Sequence, residues 1–245
     1  WKNSRIMLLV LSARLLLREI KSGYLTSMLI SLTLAITIVS GISLFTDRLE
    51  KALNAQTEEF LGGNLKFESN NDNLGMLSEK LGLKNTEQMQ MAMFASVVFS
   101  AEDMQLSSVK AVDSSYPLIG SVELQNLNGI YQTTDQPKIG TVWIDERLKN
   151  LLNLSYGDEI DIGEATFIFT DIIIYEPDRG SGSFAFAPKT IMNISDLEST
   201  QIIQPGSRVE YSNLFSGPED EISLVRTYLE EIKESGDDIE VLGED

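Results

Sequence analysis

Tyr24 to Phe45 reads YLTSMLISLTLAITIVSGISLF, and this run decides how the rest of the chain is organised. No charged residue occurs from Ser22 to Thr46. As a helix rising 1.5 Å per residue, the run would be about 33 Å long, enough to cross a hydrocarbon core of about 30 Å. A lone segment in lipid satisfies its backbone only as a helix, and its Ser and Thr hydroxyls can bond back to that backbone or face neighbouring helices. A buried core helix fits less well, because such helices are shorter and interrupted by charge. A cleaved signal peptide fits poorly too. The positive region is too long, the apolar run too extended, and no A-x-A-like site follows.

The charge on either side orients the span. Residues 1–46 hold Lys2, Arg5, Arg14, Arg18 and Lys21 against Glu19, a net +4, so the remaining 199 residues carry −22 of the total −18. The positive-inside rule places residues 1–21 in the cytoplasm and the acidic body outside. Arg14, Arg18 and Lys21 fall on one helical face beside the apolar runs Ile6–Leu11 and Leu15–Leu17. This predicts an interfacial elbow helix over 1–21 that sets its basic face toward lipid head groups. A plain basic membrane flank is the simpler reading of the same residues. The acidic body would repel phosphate backbones, which excludes nucleic acid as a partner.

On the far side, Ile42, Phe45, Leu49, Leu53, Gln56 and Phe60 recur at spacings of three and four before Gly62-Gly63. They predict that the helix continues as a stalk to about Phe60 and stops at the glycines. The expected organisation is an elbow at 1–21, a transmembrane helix at 22–46, a stalk at 47–63 and an α+β domain at 64–245. Linker-like breaks near Asn70–Asn73 and Asp113–Gly120 allow that domain two subdomains. Strands are predicted at 64–68, 88–101, 105–112, 141–145, a hairpin through 160–175, 183–187 and 207–214. Helices are predicted at 73–83, 146–152, 194–200 and 219–234. In the last, Ile222, Val225, Leu229 and Ile232 repeat at helical spacing behind Pro218.

The chain has no Cys and no His. This removes thiol chemistry, disulfides, Cys/His zinc sites and a His base. No hydrolase elbow, P-loop or dinucleotide fingerprint occurs, so the chain is not expected to be an enzyme or to bind a cofactor. Asp158, Glu159 and Asp161 cluster acidic groups but lack calcium-loop spacing, and a solvated strand face accounts for them. Met89, Met91 and Met93 alternate onto one strand face, either a soft surface for lipophilic ligands or partners or an ordinary core face. Glu176-Pro177-Asp178-Arg179-Gly180 follows an apolar strand; its charges can pair across a turn or contact another subunit.

Leu17-Arg18-Glu19-Ile20-Lys21-Ser22-Gly23, Leu61-Gly62-Gly63-Asn64-Leu65, Val109-Lys110-Ala111-Val112-Asp113, Tyr116-Pro117-Leu118, Val142-Trp143-Ile144-Asp145, Glu176-Pro177-Asp178-Arg179-Gly180 and Gln204-Pro205-Gly206-Ser207-Arg208-Val209, together with the order elbow, span, stalk and body, resemble ABC-transporter permeases of the MacB/LolC/FtsX (mechanotransmission) class, and within it the YbbP-like permeases. The resemblance implies a MacB-like periplasmic core on a bacterial inner-membrane anchor. ATP would be bound by a separate cytoplasmic ATPase dimer, and a second permease chain or repeat would complete the membrane part. Lipophilic or lipid-linked cargo, membrane lipid and a periplasmic esterase or thioesterase are further implied partners. The coupling candidates are then Arg14, Arg18, Glu19, Met89, Met91, Met93, Glu176, Asp178 and Arg179. Family members have further spans and this chain opens on Trp1, so a longer gene product continuing past Asp245 is expected. The competing hypothesis is a signal-anchored extracytoplasmic sensor or binding module that works without an ATPase.

Overall fold

A helix, α1, runs unbroken from Tyr24 to Leu61. The computed structural model describes residues 18, 23–69, 77–101, 103–178, 186–204, 206–234 and 239–243. Within α1, Thr26–Leu49 is long and apolar enough to cross a membrane, and none of it is buried. Four of its hydroxyls bond back to the backbone three or four residues earlier. Thr26 donates to the Gly23 carbonyl at 2.8 Å, Ser31 to Ser27 at 2.9 Å, Thr37 to Thr33 at 2.7 Å, and Thr33 to Leu29. An exposed helix with large apolar side chains outward and hydroxyls that bond back to its own backbone suits lipid rather than water. The elbow expected over 1–21 lies outside the described residues except for Arg18, which is helical and exposed.

The chain divides into two compact units, residues 1–55 and 56–245. The second is α+β, as its sequence pattern implies. Its described strands are β1 (Leu65–Ser69), β2 (Glu87–Phe99), β3 (Met104–Val112), β4 (Val122–Asn126), β5 (Gly129–Thr133), β6 (Thr141–Asp145), β7 (Glu159–Ile162), β8 (Ala165–Tyr175), β9 (Lys189–Asn193), β10 (Glu210–Ser216) and β11 (Ile239–Gly243). The helices are α2 (Leu77–Leu81), α3 (Glu146–Leu151) and α4 (Glu219–Glu234). These strands form one sheet ordered β11-β1-β10-β2-β3-β9-β6-β8-β4-β5, with β7 bridging β2 and β8.

That bridge closes a ring. β2 pairs β3, β3 pairs β9, β9 pairs β6, β6 pairs β8, β8 pairs β7, and β7 returns to β2 through Val98–Ile162 and Phe99–Asp161. Each strand of the ring sends side chains into one apolar cluster, including Phe94, Val109, Met192, Ile144, Phe169 and Ile160. A second cluster on the opposite strand faces holds Met89, Met91, Val112, Tyr116, Trp143 and Ile191. At the other end of the sheet, Leu65, Phe67 and Phe215 pack with Ile222, Val225 and Leu229 of α4. The 3.6-residue stripe of α4 is therefore what covers β1 and β10.

Local chemistry sets several boundaries. Asp145 caps α3 by accepting from the Leu148 N–H at 2.7 Å. The helix predicted over 194–200 is two short 3₁₀ turns, Ile194–Asp196 and Glu198–Thr200. There Asn193 accepts from Ser195 N, and the Ser199 and Thr200 hydroxyls bond Asp196 O and Leu197 O. Such local side-chain bonds compete with a longer helix. The strand predicted over 183–187 is not found where it can be checked. Phe186 and Ala187 lie in a turn and a bend, and residues 183–185 fall outside the described set. The strand begins at Lys189, after Pro188, whose carbonyl accepts from Ser108 N at 2.8 Å. Of the helix predicted over 73–83, the described part is α2, which ends at Gly82 with φ +69.

Candidate functional site

The strand Val109-Lys110-Ala111-Val112 carries one charge among apolar residues. Val109 and Ala111 point into the ring, so alternation turns Lys110 to the opposite face, where it is only 7% exposed. A buried ammonium needs counter-charge, since removing it from water without partners is prohibitive. Two carboxylates supply it from just beyond β8. Lys110 Nζ donates to Glu176 Oε2 at 2.7 Å and to both Asp178 oxygens at 3.1 Å. Glu176 and Asp178 are 2% and 7% exposed. Lys189, at the start of β9, donates to the second Glu176 oxygen, and the Tyr116 hydroxyl donates to Asp178 Oδ1 at 3.3 Å. Two cations and two anions thus form a closed, neutral constellation held by β3, β9 and the turn after β8.

Its electrostatics are lopsided. Burial pushes the Glu176 carboxyl up, but the Lys110 and Lys189 ammoniums outweigh it and hold the group down at about 2. Burial dominates at Asp178 and, with the neighbouring Glu176 charge, raises its carboxyl above the ordinary range against the pull of Lys110 and of Lys66. Burial pulls the Lys110 ammonium down, yet the two carboxylates win and raise it. Burial, then the Asp178 and Glu176 charges, raise the Tyr116 hydroxyl.

The constellation adjoins the residue that ends α1. Gly62 takes a left-handed φ of +76, and a Cβ placed on it would sit 2.7 Å from Asp178 Cβ and 3.1 Å from Leu214 Cδ2. Only glycine both ends the helix there and lets the backbone approach this closely. Gly63 would meet the Phe215 carbonyl at 2.9 Å. The next residue is clamped to β10: Asn64 N donates to Phe215 O at 2.8 Å, and Gly217 N donates to Asn64 Oδ1 at 3.0 Å.

Among the sequence candidates, Glu176 and Asp178 come together in this cluster. Met89 and Met91 are buried in the second apolar cluster, and Met93 is half-buried opposite Lys110. Arg18 is exposed, while Arg14, Glu19 and Arg179 lie outside the described residues. Asp158 closes a local turn, accepting from Ser155 N at 2.7 Å, and Asp161 accepts from the hydroxyl of its cross-strand partner Thr166 at 2.6 Å. Sequence reasoning misses Lys110, Lys189 and Tyr116. For Lys110 a signal exists, a lone cation inside an apolar strand, which requires an acidic partner somewhere in the fold.

No protein-family model matches the sequence. Over 220 residues, 89% of its length, the chain is 37% identical to the uncharacterized ABC transporter permease YbbP of Escherichia coli (strain K12). It spans 26% of that relative's length. Solved structures are also similar in outline, and two serve as examples. One is the periplasmic region of MacB from Actinobacillus actinomycetemcomitans, at 12% identity and TM-score 0.46, covering 76% of this chain and 91% of that one. The other is the extracellular domain of the noncanonic ABC-type transporter YknZ from Gram-positive bacteria, at 10% identity and TM-score 0.47, covering 73% and 98%. The sequence match, over 89% of the chain, shows the resemblance to ABC-transporter permeases of the YbbP type.

Proposed function

We propose that this chain is the anchored, extracytoplasmic part of an ABC-transporter permease subunit of the bacterial inner membrane, with its N-terminus in the cytoplasm. A separate cytoplasmic ATPase dimer drives movement of the spans. α1 carries that movement outward, and the β-rich body answers by changing its shape. The cargo is lipophilic or lipid-linked, handled on the outer side.

The observation that carries this reading is the junction at Gly62. A helix that is apolar and unburied over Thr26–Leu49 continues as one element to Leu61, and the residue after it abuts Asp178 of the buried ion cluster. A charge cluster with this geometry resists small displacement. Separating Lys110 from Asp178 exposes buried charge to a low-dielectric surround, so a shift at Gly62 is resisted and passed on to β3, β9 and the end of β8. The YbbP match supplies the class of machine in which such a linkage has a use.

The test uses the full-length gene product with an ATPase encoded beside it, purified together and reconstituted in lipid. The ATPase should co-purify, and its turnover should rise at least severalfold in the complex. The charge-balanced double variant Lys110→Met/Asp178→Asn should keep the complex but lose most of that rise. An ATPase that neither binds nor responds would favour the anchored sensor or binding module. Unchanged coupling in the double variant would remove the ion cluster from the mechanism.

A further inference from the structure

The face of the sheet opposite the Lys110 cluster carries a cleft of about 520 Å³. Its floor is made by β2 and β10, where Gln90 stands directly opposite Asn213 and Tyr211, opposite Ala92, is two pairs further along on the same face. Its wall is the stretch after β9, with Ile194, Leu197 and Ile203 apolar and Glu198 and Gln201 polar. The floor sits at a seam. On one side Asn213 is paired with Phe67 of the α4-covered cluster, and on the other Tyr211 packs against the ring cluster. Ligand clefts favour such seams, and this volume lies in the usual range for them.

We infer that this cleft binds a short extended peptide segment, uncharged or positively charged, that carries an apolar side chain.

The floor offers unspent hydrogen-bonding capacity of the amide kind. Asn213 is 7% exposed, and its oxygen accepts from Gln88 Nε2 at 2.7 Å. Its NH₂ group finds no acceptor among the described residues, nor does the Gln90 carboxamide find a partner there. On the wall, Gln201 donates from its NH₂ group to Glu198 O at 2.8 Å, and its carboxamide lines the cleft. A carboxamide presents one acceptor and a pair of donors, which matches a peptide group edge to edge. An acyl chain in the same place would strip water from Asn213 and Gln90 and give nothing back. The charge pattern selects further. Among the described residues neither Lys nor Arg lines the cleft, and Glu198 is its one ionisable carboxylate, so an anion has no counter-charge and a cationic terminus has one. Ile194, Leu197 and Ile203 then provide the apolar contact that separates a side-chain-bearing peptide from a purely polar solute. The inference stands apart from the coupling reading, because the cleft and the ion cluster lie on opposite sheet faces and share no residue.

The test is saturation-transfer NMR on the full chain in lipid nanodiscs, with empty nanodiscs as the blank. The probes are Ac-Leu-Gln-Leu-NH₂, the same peptide with a free amino terminus, and its N-succinyl form. The first two should receive saturation and titrate to a plateau, with the succinylated peptide at least tenfold weaker. Gln90→Ala and Ile203→Trp should each weaken binding at least tenfold with the near-ultraviolet circular dichroism unchanged. Ile203 is partly exposed, so the filling variant keeps the test valid even if Gln90→Ala perturbs the sheet. Absence of transfer to the first two peptides overturns the proposal. So does equal binding of all three, binding that survives Ile203→Trp, or displacement of the peptides by monolaurin at stoichiometric levels.

Discussion

At the scale of single residues, the ion cluster and the glycine beside it are the most exacting part of the molecule. Lys110→Met leaves Glu176 and Asp178 buried with one cation fewer, and should cost about 3–5 kcal/mol of folding stability in chemical denaturation. The charge-balanced Lys110→Met/Asp178→Asn should recover most of that loss. Gly62→Ala forces a side chain into a left-handed backbone and onto Asp178, and should cost about 2 kcal/mol or more. The pH dependence has a definite sign. Glu176 is held at about 2 against an ordinary 4.5, so its contribution is present above pH 4.5 and drains away as pH falls toward 2. The raised Asp178 works in the opposite sense and softens that loss. Thermal melts at pH 6, 4 and 2.5 should show a smaller acid loss in Glu176→Gln than in the parent chain. The acidic half of this site is legible in the sequence, because Glu176-Pro177-Asp178 is conspicuous after an apolar strand. Of its basic half, the sequence shows only that Lys110 is a lone cation in an apolar strand, not which carboxylates it meets. A lysine 66 residues away in sequence reaches Glu176 only through the fold, in which β3 pairs in parallel with β9, the strand that also brings Lys189 to the same carboxylate.

At the scale of elements, periodic segments can be read from the sequence and irregular ones cannot. The bounds of α4 follow from four apolar residues that repeat at helical spacing, with Pro218 marking its start. Leu229→Ala, inside that stripe, should cost about 2–5 kcal/mol, whereas Leu224→Ala on its exposed side should stay within about 0.5 kcal/mol. The bounds of β6 agree with its pattern as well. The hairpin of β4 and β5 escapes such reading because β5 is nearly all exposed and has no apolar alternation to betray it. β11 escapes it for another reason: a short strand whose register is fixed by β1 carries little pattern of its own. For α1, the test lies in the membrane. Ile36→Arg places a charge near the middle of the run and should raise the apparent insertion cost by about 2.5–3.5 kcal/mol, read as a reduced inserted fraction in a microsomal glycosylation assay.

For the molecule as a whole, the uneven charge makes the topology testable. The chain lacks cysteine, so Ser100→Cys, in the turn between β2 and β3, is a unique label site. A membrane-impermeant maleimide should modify it from outside spheroplasts without lysis. Labelling only after lysis would reverse the orientation. The α+β class and the long apolar helix follow from composition and periodicity, but the closed ring does not. Ring closure depends on β7 meeting β2 through two residue pairs, a long-range fact that alternation within either strand cannot encode.

β2 is thirteen residues long and serves two neighbourhoods at once. Its first seven residues are laddered to β10, and its last nine to β3. A pull along its axis would therefore strain many rungs simultaneously, whereas a pull across it would open them singly, as a zip does. The body should be stiff in one direction and yielding in another. Neither end of the sheet can be cut out as an independent piece, since each would take half of the same beam with it.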